Sequence, residues 1–456
     1  MKKISYAEIK DHIKELFGLL NGTGTKSRLI KDGMGSLIIN VGNKALVLLT
    51  GILLVRLVGK FQYGIYSYVL SIMYVLMIPA EFGIANLLVR ETAQGITRQD
   101  HPTIKGIWRW SFRISTLLCI TILLIAGLGS IWAKDYFSQI EMSTFYWVLA
   151  LLPFQALVYI GSAALRGLNK VVLGQMADLI IIPGLFAVLF LVIGYWTPVE
   201  LNAASSMALR SAATFIAFAF TIIFLIIKTP SEVHSASPVY AGRVWLASAL
   251  PLGLSSGLNI IRSRSNTLIM GVFVDSGQIG TFQVAVSAAA LSGLVLQAAN
   301  AILAPQFASL IAQDDKKSLQ RLVSTSTRIV AAFNLVITII FLLFGKFLLT
   351  TVFSSDVVDA YPSLVILLVG QLVNSFVGSV AYLLNMAGYE KDVMKIIATT
   401  TAINAIMTLV ITPIWGIIGG AIATSISLIV AQFAMHRLVV KKLGIVSNAF
   451  GKTIRS

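Results

Sequence analysis

The feature that most constrains this chain is repetition. Apolar runs of about 20 residues, the length a helix needs to cross the hydrocarbon core, recur from one end of the sequence to the other. Twelve can be placed, near 36–58, 66–89, 107–132, 145–165, 172–194, 204–227, 244–272, 279–303, 323–349, 361–384, 393–412 and 415–439. At bilayer depth no water satisfies backbone N–H and C=O groups, so runs of this length must be helical. With 57% hydrophobic and only 12% charged residues and a mean hydropathy of +0.86, the chain lies outside the soluble range. The expected fold class is all-α, a polytopic membrane protein of twelve transmembrane helices. The segment from Lys2 to Glu15 is too charged to hold the apolar centre of a cleavable signal. The single cysteine, Cys119, lies inside an apolar run, where it serves packing.

Charge orients the bundle. With the N-terminus in the cytoplasm, the arm, the even-numbered joints and the C-terminal tail carry 27 of the 35 Lys and Arg residues. The opposite side carries 3 (Lys60, Lys134, Lys346), and 5 lie within spans. This bias predicts both termini inside and accounts for the net charge of +16 without nucleic acid. Ile9, Ile13, Leu16, Phe17 and Leu20 recur at helical spacing opposite Lys10, Asp11, Lys14 and Glu15, which predicts an amphipathic arm over 1–35 lying on the membrane surface. The expected organisation continues with a six-helix lobe over 36–228, a cytoplasmic linker over 229–243, a second six-helix lobe over 244–440 and a basic tail over 441–456. No outer joint is long. A membrane enzyme that builds or transfers sugars at the outer face needs a larger loop to shape its site.

Charges inside spans cost roughly 2.5–3.5 kcal/mol each on insertion scales, so they are functional candidates by default. The densest stretch is Leu252–Phe282, which carries Arg262, Arg264, Asn259, Asn266 and several serines before breaking at Asp275-Ser276-Gly277. The two arginines stand about 200° apart on a regular helix. Arg262 aligns with Asn259 and Asn266 and is the expected cavity residue; Arg264 aligns with Ile260 and Leu268, where snorkelling to the outer interface competes. Pro251, Gly253 and Gly257 suggest a bend upstream. Lys44 shares a face with Asn40 and Gly51, and Arg210 stands between Ser206 and Thr214, both small polar faces suited to an interior. Arg56, beside Leu49, Ile52 and Leu53, lies near the outer boundary, where anchoring to headgroups competes with substrate contact. Five embedded cations exceed the two embedded acids, Glu81 and Asp178, and a water-filled cationic cavity is the natural home for the excess. The acids are either structural partners of those cations or a proton or sodium site. Gln155-Tyr159-Ser162 and Gln371-Asn374-Gly378-Tyr382-Asn385 each follow one helical face, consistent with helix–helix bonding or sugar contact. No nucleophile, metal-ligand or paired-carboxylate constellation appears, which argues against an enzyme and implies no cofactor.

The chain also repeats itself. Lys60–Tyr66 (KFQYGIY) resembles Ser276–Phe282 (SGQIGTF), and Arg166–Lys170 (RGLNK) mirrors Ala387–Lys391 (AGYEK), with nearly the same offset of almost half the chain in both cases. Two halves in the same orientation imply a pseudo-two-fold axis along the membrane normal, with a site between them. Arg56-Leu57-Val58-Gly59 through Gly64-Ile65-Tyr66, then Leu384-Asn385-Met386-Ala387-Gly388 with Lys391, then Pro413 through Thr424 resemble the multidrug/oligosaccharidyl-lipid/polysaccharide exporter superfamily. The resemblance covers residues 36–440 and is closest to the polysaccharide-flippase branch. It implies translocation of an undecaprenyl-diphosphate-linked oligosaccharide, such as an O-antigen, capsule or exopolysaccharide repeat unit, by alternating access. It also implies a glycan polymerase and a chain-length regulator as partners. Lipid II flippases of the superfamily usually have two further helices, absent here. A cation-coupled multidrug antiporter of the same fold is the alternative, and it should favour carboxylates and aromatics over buried cations.

Overall fold

The computed structural model describes residues 25–198 and 200–450, and these form helices and joints with no strand among them. The expected amphipathic arm lies almost wholly outside the described residues, as does the end of the basic tail. In chain order the helices are α1 (25–58), α2 (60–81), α3 (Ile84–Arg98), α4 (His101–Ala133), α5 (Gln139–Gly167), α6 (Val171–Trp196), α7 (Ala203–Lys228), the short α8 (Ser231–Ser235) and α9 (Gly242–Met270). There follow α10 (Ser276–Ala312), α11 (Lys316–Val352), a 3₁₀ turn (Ser355–Ala360), α12 (Tyr361–Val377), α13 (Val380–Met386), α14 (390–415) and α15 (417–443).

Among the described residues, 10 helical stretches are long and apolar enough to cross a membrane, and two of them, Gly33–Glu81 and Glu390–Leu443, run to 49 and 54 residues. Each of these folds back at one glycine. Gly59 has φ 81°, ψ 164°, and Gly416 has φ 55°, ψ −135°, backbone regions closed to most side chains. The reversal is visible in the packing: a Cβ at Gly51 would stand 3.4 Å from the Tyr63 hydroxyl, although a straight helix between them would span about 18 Å. Ten stretches with two reversals give the twelve passes expected. The joint expected over 59–65 shrinks to a single residue, because α2 begins at once.

Local sequence sets most other boundaries. Ser138 and Glu141 form a reciprocal cap at the start of α5, and Asn202 and Ser205 do the same for α7. Asp100, Asp275 and Asp315 cap α4, α10 and α11 by accepting from the backbone N–H three residues on. The break at Asp275-Ser276-Gly277 is therefore a helix start. The break in this region falls not in α9 but in its neighbour. Helix α9 runs unbroken through Pro251, and the chain kinks at Phe82–Gly83, where both residues have positive φ. Gly253 lets α9 approach that kink: a Cβ there would meet the Phe82 carbonyl carbon at 2.8 Å. Residues 445–450 fold back on the second lobe. Val446 exchanges hydrogen bonds with Gln320 at 2.8 Å, and Phe450 stacks on Phe376.

The repeated motifs meet each other. A Cβ at Gly64 would stand 1.6 Å from the Ser276 carbonyl oxygen, and one at Gly280 would stand 1.9 Å from that of Lys60. The two glycines thus let α2 and α10 cross backbone to backbone on the pseudo-two-fold axis. A buried cluster containing Leu54, Tyr63, Tyr66, Phe186, Phe282, Val284 and Phe353 straddles both lobes there.

Candidate functional site

Below that crossing, the lobes enclose two adjoining chambers that share Tyr74 and Arg264. The upper chamber, about 340 Å³, is lined by Lys44, Asp178, Arg210 and Arg264 together with Tyr63, Tyr66, Gln283 and Ser287. The other, about 440 Å³, is lined by Glu81, Arg166, Asn86, Tyr159, Asn259 and Ser263. Four cations thus face two carboxylates.

Arg210 projects from α7 across the chamber to α2. Its Nη1 donates to the Tyr66 hydroxyl at 3.2 Å and its Nη2 to the Tyr74 hydroxyl at 3.3 Å. The buried Nε has no partner among the described residues. Arg264 reaches the same tyrosine from α9, its guanidinium 4.2 Å from the Tyr74 ring centre. Tyr74 is therefore held by its hydroxyl to one lobe's arginine and by its ring to the other's. The ring face attracts a cation, by up to about 2 kcal/mol when desolvated. Asp178 sits in a π-helical turn, Ala177–Ile181, and its Oδ1 accepts from Gln155 Nε2 at 2.9 Å. Such a turn carries one extra residue and is common at functional positions. Of the stripe Gln155-Tyr159-Ser162, the first member holds Asp178 and the second lines the lower chamber.

The two arginines of α9 exchange the roles that the sequence suggests. Arg264 lines both chambers, whereas Arg262 lines neither and is exposed. The cause is Asn266, whose face is expected from sequence to look into the cavity. Its Oδ1 instead accepts from Asn404 Nδ2 at 2.7 Å and Thr408 Oγ1 at 3.0 Å, and its Nδ2 donates to Thr424 Oγ1. These bonds turn the Asn266 face into the second lobe and leave Arg264 toward the first. Arg56 also stands apart from the chambers. Its Nε donates to the Val352 and Phe353 carbonyls at 2.9 and 3.1 Å and its Nη2 to that of Thr351, closing the C-terminal end of α11. Lys60 donates to the Asp356 carbonyl at 2.8 Å and lies 3.8 Å from the Asp359 carboxylate. Both residues tie the lobes at the Gly59 end.

Three contributors escape a reading of the sequence. Arg166 counts there as a joint charge, but α5 runs on to Gly167 and keeps it in the lower chamber. Tyr66 and Tyr74 are two helical turns apart on α2, a signal present in the sequence but masked among other aromatics. In the second polar stripe, Asn374 Nδ2 donates to Gln371 Oε1 at 3.2 Å within α12, and the Gln371 backbone carbonyl accepts from Asn334 Nδ2 of α11. No cluster of three metal-ligating side chains occurs among the described residues.

Two helical lobes around polar chambers are the fold of transporters of the multidrug/oligosaccharidyl-lipid/polysaccharide exporter superfamily. The fold of this chain is similar to an inward-facing multidrug resistance MATE family transporter, with a TM-score of 0.71 and 16% identity over 90% of this chain and 98% of that one. It is also similar to the lipid II flippase MurJ in an inward closed conformation, with a TM-score of 0.70 and 14% identity over 91% and 90%. Residues 53–362 match the model of the polysaccharide biosynthesis protein family, and the chain belongs to that family. A curated relative, the probable low-salt glycan biosynthesis flippase Agl15 of Haloferax volcanii, is 22% identical over 379 residues, covering 82% of this chain and 75% of its own.

Proposed function

We propose that the chain moves an undecaprenyl-diphosphate-linked oligosaccharide from the inner to the outer leaflet by alternating access. The observation that carries this reading is the charge of the paired chambers, in which Lys44, Arg166, Arg210 and Arg264 outnumber Glu81 and Asp178. A diphosphate is the charged part of such a substrate, and arginine suits it through planar, two-pronged hydrogen bonding. The Gly59 end is the extracytoplasmic one in this reading, with both termini in the cytoplasm of the inner membrane. The lobes are closed together there, so the substrate loads from the cytoplasmic side. Rocking of 36–228 against 244–440 then exposes the sugars outward. Loading favours closure only if the bridged state binds the diphosphate better, and a ligand held between Arg210 and Arg264 meets that condition. Glu81 and Asp178 are the proposed ion-coupling pair. The glycan class and the partnership with a polymerase and chain-length regulator follow from family resemblance.

The test is surface-glycan display in a deletion strain complemented with variants, with protein level followed by blot. Arg210→Ala and Arg264→Ala should express normally and display less glycan, Arg210→Ala the less of the two. Normal display by Lys44→Ala, Arg166→Ala, Arg210→Ala and Arg264→Ala alike would sink the cationic-cavity mechanism. The tyrosines and carboxylates favour a second reading, cation-coupled drug export, since aromatics and acids suit cationic amphiphiles. A deletion strain with raised sensitivity to cationic dyes and intact surface glycan would support that reading instead.

A further inference from the structure

A third cavity, about 430 Å³, lies away from the central chambers and shares no residue with them. It opens between the start of α4, the end of α7 and the short α8. Lys105, Arg109 and Arg113 line it from successive turns of α4, over a floor that includes Phe112 and Leu225. No carboxylate lines it.

The position of these cations on their helix is informative. At about 100° per residue, Arg113 falls on one narrow stripe with Leu117, Ile120, Leu124 and Ile131, and Arg109 lies just to its side. All four apolar residues are large and exposed, by 48% to 61%. Exposed aliphatic side chains on a spanning helix face lipid, so the arginines head a lipid-facing stripe where it emerges from the hydrocarbon. Trp108 and Trp110 mark the same level, as expected at a membrane interface. Lys105 is engaged, donating to the His234 carbonyl and holding α8 against α4. Arg109 and Arg113 have no ion pair or hydrogen bond among the described residues. They do not serve the end of α7 either, because the Leu225 carbonyl there already accepts from the Thr229 N–H at 3.0 Å.

We propose that this cleft binds the headgroup phosphate of an anionic phospholipid, with Arg109 and Arg113 on the phosphate and an acyl chain along Leu117, Ile120 and Leu124. Basic pockets between membrane helices are suited to anionic headgroups. The commitment to a resident phospholipid over the transported substrate follows from the cleft's opening, which faces lipid and not the central chambers. The site is independent of the proposed transport reaction.

The experiment uses the purified full chain in nanodiscs of phosphatidylcholine, into which phosphatidylglycerol is titrated, with retained lipid read by native mass spectrometry. The wild type should retain phosphatidylglycerol over phosphatidylcholine. Each basic group near an anionic lipid is worth about fivefold, so Arg109→Ala with Arg113→Ala should weaken retention roughly 30-fold. The paired Arg→Lys variant should recover most of it, and inorganic phosphate should not displace the lipid. Equal retention of both lipids by the wild type, or unchanged retention by the double alanine variant, would overturn the proposal. Displacement by a polyprenyl diphosphate would assign the cleft to the substrate and overturn it as well. If the double alanine variant fails to fold, a phosphatidylglycerol with a photoreactive group near its phosphate decides on the wild type: labelling of the peptide bearing Phe112 supports the site, and its absence there refutes it.

Discussion

Between residues 36 and 228 five charged side chains line the chambers, whereas between 244 and 440 there is one, Arg264, among neutral polar groups. The first lobe supplies Lys44, Glu81, Arg166, Asp178 and Arg210, with the tyrosines that orient Arg210. The second supplies Gln283, Ser287, Asn259 and Ser263, and commits Asn266, Asn334, Asn404 and Thr408 to bonds between its own helices. A pseudo-symmetric scaffold thus carries an asymmetric interior. One lobe is built to hold charge and the other to hold itself together, and a single arginine from the second completes the site. The proposed alternating access needs both, since a ligand contacting one lobe alone has no preference for the closed state.

The sharpest test of that division is Arg210→Ala, which removes a buried cation and leaves the Tyr66 and Tyr74 hydroxyls without it. A hydrogen bond to a charged group is worth about 1.5–3 kcal/mol, so loss of the proposed contact between Arg210 and the diphosphate should lower flipping by purified protein in liposomes by up to about a hundredfold. Arg210→Lys should recover little, because one ammonium cannot span both hydroxyls as the guanidinium fork does. A smaller effect is expected across the interface. Arg264→Ala loses the contact with the Tyr74 ring and should lower the rate about tenfold, given about 1–2 kcal/mol for such a contact. Arg262→Ala should stay within about twofold. If Arg262→Ala proves the more damaging in the same assay, the second lobe presents a different face from the one described.

Asp178→Asn should remove the dependence of rate on an imposed proton or sodium gradient while leaving substrate affinity within about threefold. A gradient response equal to that of the wild type would return Asp178 to a structural role beside Gln155. The smallest effect belongs to the second lobe's own network. Asn266→Ala should lower thermal stability by about 1 kcal/mol, in line with interhelical hydrogen bonds in membranes, and change transport less than twofold. A tenfold transport loss at unchanged stability would mean that the neutral lobe reads the substrate after all.

Sequence by itself determined the class of the fold, the number of passes and the duplication. Each rests on a property readable along the chain: an apolar run long enough to span, the count of such runs, and a motif that recurs in the second half. It also determined that cations exceed acids at depth, because a charge inside an apolar run is visible without knowing its neighbours. Which cations meet was another matter. Arg262 and Arg264 lie on nearly opposite sides of one helix, and nothing local to α9 says which side faces the other lobe. That choice was made by Asn404, Thr408 and Thr424, far along the chain, which engage Asn266 and hold its face against the second lobe's own helices. Arg166 and Arg56 show the same dependence. One is drawn into the chamber because α5 extends past its apolar run, and the other is withdrawn from it by the free carbonyls of α11. Helix periodicity fixes the angle between two side chains on one helix, but only packing against other helices fixes where that angle points.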